Sequence, residues 1–142
     1  MFNQHTFEQQ KREARLFETA SLKLLKKLGY PDVRYNPALS TSQKAKFDLS
    51  AYFQGQRHTF EAKMHYAALW SHNYIIEEQE TKDSKADYFI LGRPLVTIIP
   101  KYRLLEYADR SQNTKFVGDW ETKAKLVPYQ LLEQDHLARV FQ

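Results

Sequence analysis

Three side chains within one short stretch are of types that do chemistry together: Asp48, Glu61 and Lys63. Twelve residues separate the two acids, and a single residue separates Glu61 from the lysine. Carboxylates are hard oxygen ligands, so two that converge can hold a hard divalent cation. A lysine beside such a pair can hold or activate a water. Convergence depends on the local backbone. Phe47, Leu49, Ala51 and Phe53 alternate with Asp48, Ser50 and Tyr52, and Phe60, Ala62 and Met64 alternate with Thr59, Glu61 and Lys63. This period of two predicts strands. Gln54-Gly55-Gln56-Arg57 lies between them, and Gly55 suits the first central position of a type II′ turn. The spacing therefore predicts a β-hairpin over Phe47–Met64, with Gln54 opposite Arg57, Asp48 opposite Lys63 and Ser50 opposite Glu61. The apolar set turns to the core, and Asp48, Glu61 and Lys63 share the other face. The carboxylates then become diagonal neighbours, with Cα atoms about 7–8 Å apart. The alternative for the same residues is a solvated, salt-bridging strand face.

The elements around the hairpin follow from the same patterns. Thr6 to Leu28 reads as a helix, with Phe7, Ala14, Phe17, Leu24, Leu25 and Leu28 on one face. Thr6 with Gln9 or Gln10 suits its start, Gly29 its C-cap, and Pro31 stops any continuation. A short strand near Val33 to Tyr35 and a loop lead into the hairpin. His65 to His72 reads as a helical or irregular excursion. Tyr74–Glu78, Tyr88–Leu91 and Val96–Ile99 read as strands, and Lys101–Asp109 as a helix. Val117–Tyr129 reads as one strand, and Pro128 starts a last helix to about Val140. This order predicts an α/β or α+β domain with a central mixed sheet.

Composition narrows the classes. A chain of 142 residues predicts one domain, 1–142. It is 42% hydrophobic and 14% aromatic, enough for a real core, which excludes general disorder. The absence of cysteine excludes disulfides, Cys-ligated zinc, iron–sulfur clusters and thiol catalysis. With four glycines and neither GxGxxG nor GxxxxGK[ST], no nucleotide cofactor is expected. No stretch reaches the length of a membrane span and the N-terminus lacks signal-peptide features, so a cytoplasmic protein is expected. Lys and Arg total 21 against 17 Asp and Glu, a net +4 that permits a nucleic-acid partner without establishing one.

Asp48, twelve residues, then Glu61-Ala62-Lys63 resembles the D…E-x-K core of the PD-(D/E)XK nuclease superfamily. The likeness covers about residues 8 to 100. Glu18, eleven residues before Gly29, is placed like the helix-borne acid of Holliday-junction-resolvase-like members, with Glu13 the competing position. Asn73–Glu78 and Lys85–Ile90 resemble the following strands of small phage and mobile-element nucleases. Phe47 stands where many members have Pro, and the QxxxY motif of the RecB-like exonuclease branch is absent after Lys63. The resemblance implies a restriction-endonuclease-like core, a central mixed β-sheet flanked by α-helices. It implies that Asp48 and Glu61 ligate Mg²⁺ or Mn²⁺, with the Ala62 carbonyl completing the shell. Lys63 would orient the attacking water, and Glu18 would add an acidic or outer contact. The expected reaction is in-line hydrolysis of DNA to a 5′-phosphate and a 3′-hydroxyl.

Around this core, Lys44, Lys46, Lys82 and Lys85 can neutralise phosphates, and His65, Ser71 and Asn73 can contact DNA. Ordinary surface and loop polarity is the alternative for each. Tyr66, Trp70 and Tyr74 can stack on bases or pack. His58, His65 and His72 recur every seven residues, but His58 falls on the core-facing side of its strand, so no zinc site is expected. Leu131, Leu132, Leu137 and Val140 are expected in a core or dimer face. One site per chain implies a homodimer or higher homo-oligomer for cutting two strands. The favoured function is a site-specific endonuclease of the homing or restriction type, as in phages and mobile elements. The alternatives are a junction resolvase, a non-catalytic DNA-binding module of the same fold, and a protein-interaction domain.

Overall fold

The computed structural model describes residues 4–36, 47–64, 72–92, 95–111, 114–117 and 122–141. The chain opens with helix α1 (Gln4–Lys27). Phe17, Ser21 and Leu25, four residues apart, bury its inner face, and Leu22, Leu24 and Leu28 flank it. Ala14, expected on that face, is exposed. The Tyr30 N–H donates to the Leu25 carbonyl and the Gly29 N–H to that of Lys26, with Gly29 at φ +90. That pair of bonds is a Schellman cap and confirms the glycine stop.

Strands β1 (Arg34–Tyr35), β2 (Leu49–Phe53) and β3 (Gln56–Met64) follow. The hairpin between β2 and β3 is real, but its turn lies one residue earlier than the sequence suggests. Gln54 and Gly55 both have positive φ, at 53 and 78, the signature of a type I′ turn. Phe53 therefore pairs with Gln56 and Leu49 with Phe60. The pairing slips by two residues, an even number, so every side chain keeps its predicted face. Continued by one pair, the register sets Asp48 opposite Glu61, where Lys63 was expected.

Strand β4 (Asn73–Ile76) is shorter than the predicted Tyr74–Glu78, and a helix, α2 (Glu78–Asp83), replaces its end. Then come β5 (Tyr88–Gly92), β6 (Val96–Pro100) and α3 (Lys101–Arg110), close to expectation. The predicted single strand Val117–Tyr129 is instead two, β7 (Thr114–Val117) and β8 (Thr122–Pro128). The predicted C-terminal helix is also corrected. Helix α4 (Tyr129–Glu133) ends early and the chain becomes β9 (Arg139–Phe141). Asp135 causes the stop: its Oδ1 accepts the Leu137 N–H at 2.8 Å, an Asx turn that competes with the next helical turn. Leu132 is buried, whereas Leu131 is exposed.

The main sheet has six strands in the order β1-β2-β3-β5-β6-β9. The pair β3–β5 is parallel and the others are antiparallel, giving a mixed sheet flanked by helices. A second sheet, β4-β8-β7, is antiparallel. Side chains of β5 and β6 alternate between two cores. Ile90 and Ile98 join Phe17, Leu25, Leu49, Ala51 and Phe60 under α1. Phe89, Leu91 and Ile99 join Tyr74, Ile76, Leu104 and Leu132 on the other side. Burial on both faces explains the unbroken apolar run of β5. Gly92 lies so close to α1 that a Cβ there would stand 2.5 Å from the Phe17 ring. Among the described residues, no helix is long and apolar enough to cross a membrane.

Candidate functional site

Asp48 enters β2, and Glu61 and Lys63 stand two apart on β3, so period-two alternation sends all three to the face opposite α1. Backbone geometry fixes Asp48. Its N–H donates to the Phe60 carbonyl at 2.9 Å, and its Oδ2 accepts the Ala62 N–H at 2.9 Å. The carboxylate thus takes an acceptor position that a carbonyl would fill in a longer ladder. Asn36 braces the approach by donating its N–H to the Asp48 carbonyl and its side-chain amide to that of Phe47, both at 2.8 Å.

Glu61 is only 6% exposed. Ser84 donates to its Oε1 at 3.2 Å, while Oε2 is buried without a hydrogen-bond partner among the described residues. The Lys63 ammonium lies 3.7 Å from that oxygen. Burial pushes the carboxyl up to about 7, with the Asp48 charge adding to the rise and Lys63 and Ser84 opposing it. Burial alone would lower Lys63. Its bond to Glu80 and the charges of Glu61, Glu80 and Glu77 outweigh that and raise it. Glu77 is itself raised to about 7, first by its hydrogen bond with Glu80 and then by burial.

The donor set fits a small divalent cation in part. A buried carboxylate with one oxygen unbonded, across a strand pair from a second carboxylate, has the chemistry of a cation ligand. The set is small, however: among the described residues, no group of three or more His, Asp or Glu is arranged to hold a metal ion.

Asp48, Glu61 and Lys63 are brought together. Glu18 is half-buried on α1, which packs across the opposite face of the sheet, and Glu13 is on the same helix. Lys82 and Lys85 are exposed around the end of α2, and Asn73 is half-buried at the start of β4. Lys44, Lys46, His65 and Ser71 lie outside the described residues, as do Tyr66 and Trp70. Tyr74 packs: it is fully buried, and its hydroxyl donates to the Leu95 carbonyl at 3.0 Å. His58 stacks on the Phe53 ring with centroids 3.8 Å apart, on the core-facing side. Sequence reasoning missed Ser84 and Glu80, which arrive from the segment linking β3 to β5. The acidic run Glu77-Glu78-Gln79-Glu80 was the available signal, hidden by its reading as a strand end.

At the level of sequence, no family model and no curated protein matches the chain. Among solved structures it resembles a bacterial homing endonuclease, I-Ssp6803I, with a TM-score of 0.52 and 15% identity. The match covers 75% of this chain and 72% of that one. What the two share is the fold; in this chain the mixed sheet carries Asp48, Glu61 and Lys63.

Proposed function

We propose that the chain is a divalent-cation-dependent DNA endonuclease of the site-specific, homing or restriction type. The observation that carries this reading is Glu61: a buried carboxylate with an unbonded oxygen, facing Asp48 and beside Lys63, on a fold like that of an endonuclease. Asp48 and Glu61 would hold Mg²⁺ or Mn²⁺. When bound, the ion supplies polarisation of the scissile phosphate and lowers the pKa of a ligated water. Lys63 orients the attacking water and stabilises charge developing on the phosphate, and Glu80 holds its ammonium in place. The reading does not require Glu18. The products are a 5′-phosphate and a 3′-hydroxyl. A single site per chain cuts one strand at a time, so double-strand cleavage needs a homodimer or two encounters. The substrate would place the protein in the cytoplasm with DNA.

The test is incubation with supercoiled plasmid and with a synthetic four-way junction, with and without Mg²⁺, for wild type, Lys63→Ala and Asp48→Ala. Mg²⁺-dependent plasmid cleavage lost in both variants supports the reading. Cutting of junctions regardless of sequence moves it to a resolvase. Cleavage that survives both substitutions sinks the site assignment, and DNA binding without cleavage by wild type leaves a non-catalytic module.

A further inference from the structure

An open cavity of about 400 Å³ adjoins the candidate site, lined by Lys82, Ser84, Lys85, Asp87, Lys101 and Tyr102. Ser84 belongs to both, since its hydroxyl donates to Glu61. Three lysines border the cavity, and no ion pair of theirs is seen among the described residues. The nearby acids are engaged elsewhere. Asp87 Oδ2 accepts the Thr59 N–H and hydroxyl at 2.9 and 3.1 Å, and Asp83 accepts the Gln79 amide at 2.9 Å. The Lys101 ammonium is fixed by donating to the carbonyls of Lys82 and Ser84, at 2.8 and 2.6 Å. Tyr102, 59% exposed, also lines the cavity. Three ammonium groups against the single Asp87 carboxylate, one of them pinned, and an exposed aromatic wall together suit a phosphodiester and its sugar.

We infer that this cavity holds a backbone phosphate of bound DNA, next in line to the phosphate presented to Asp48, Glu61 and Lys63. The inference rests on the endonuclease reading and adds the direction in which the strand leaves the site, past Ser84 toward α3. It predicts binding that is strongly salt-dependent and indifferent to base sequence at this contact.

The test measures binding of a random-sequence duplex without divalent cations across a salt titration. Wild type is compared with Lys82→Gln/Lys85→Gln and with a charge-matched control, Lys26→Gln/Lys27→Gln, in the last turn of α1. The hydrogen bonds shown at Lys82 and Lys85 here go to their backbone carbonyls, so the side-chain changes leave the local fold intact, as thermal melts will show. The cavity variant should lose about tenfold in affinity, with the slope of log affinity against log salt smaller by about 1–2, and the control should lose much less. If wild type binds and cleaves but the cavity variant matches it, or the control loses as much, the cavity inference falls and the endonuclease reading stands. If wild type neither binds nor cleaves, both fall. A parallel arm titrates thymidine 5′-monophosphate. Loss of that binding alone, with duplex affinity and slope retained, would assign the cavity to a free nucleotide and overturn the inference.

Discussion

Glu61→Gln should stabilise the cation-free protein at alkaline pH while abolishing its response to Mg²⁺. In the unfolded chain this carboxyl titrates near 4.5, and burial raises it to about 7 in the folded one. Between those values the folded state binds more protons than the unfolded state. Its contribution to stability is therefore full below 4.5 and is lost as pH rises through 7. At about 1.36 kcal/mol per pH unit, the loss is about 3 kcal/mol. An amide of the same shape carries no charge to desolvate and keeps an oxygen for the Ser84 hydroxyl. Its new N–H group costs part of the gain unless Asp48 accepts it, leaving a net gain of about 1–3 kcal/mol at pH 8 and about zero at pH 5. For a chain of this size that is a rise in melting temperature of about 4–10 °C. The assay is thermal and urea unfolding of both proteins at the two pH values in EDTA, then with added Mg²⁺. Wild type should gain stability with the ion by mass action, and the variant should gain none. If the variant is no more stable than wild type at pH 8, or differs from it equally at both pH values, the account of Glu61 as a carboxylate whose burial outweighs its Lys63 and Ser84 contacts is refuted.

Three further outcomes follow from the packing and the polar contacts. Gly92→Ala should destabilise by about 1–3 kcal/mol, because its Cβ would meet the Phe17 ring at 2.5 Å, and Phe17→Leu should recover part of that in urea unfolding. Asp135 is held below the usual carboxylate range: burial opposes this, but hydrogen bonds from Tyr107, the Leu137 N–H and Arg103 win. Its stabilisation is present above the ordinary aspartate range and is lost as pH falls through its depressed value. Asp135→Ala should therefore cost about 3 kcal/mol at pH 7, with the gap narrowing toward pH 2 in denaturant midpoints. Glu80→Gln should release the Lys63 ammonium and lower the cleavage rate at saturating DNA about tenfold, with DNA affinity changed far less, as single-turnover kinetics will read.

The alternation around Asp48, Glu61 and Lys63 was legible because a period of two is set by the backbone and survives any even slip in register. The slip itself was not. A type II′ turn asks for one glycine, which Gly55 supplies, whereas the type I′ turn present also puts Gln54 at positive φ, a conformation a glutamine does not advertise. The helix stop at Gly29 was legible because both of its bonds are local. Ser84 and Glu80 were not, since they meet Glu61 and Lys63 across 23 and 17 residues through a parallel crossover that carries no short-range signature. The early end of α4 turns on the side chain of Asp135, which a hydrophobic pattern cannot see.

The bond between the Ala62 N–H and the Asp48 carboxylate has an evolutionary consequence. Under the proposed function, position 48 answers to two selective pressures, one from folding and one from holding the ion. Asparagine offers the same oxygen to the Ala62 N–H and satisfies only the first, while alanine satisfies neither. A lineage that abandoned cleavage but still needed the domain would thus be held at asparagine, and drift to small apolar residues would be purged. Under the same proposal, asparagine at this position in a related chain would mark a retired enzyme rather than a broken one.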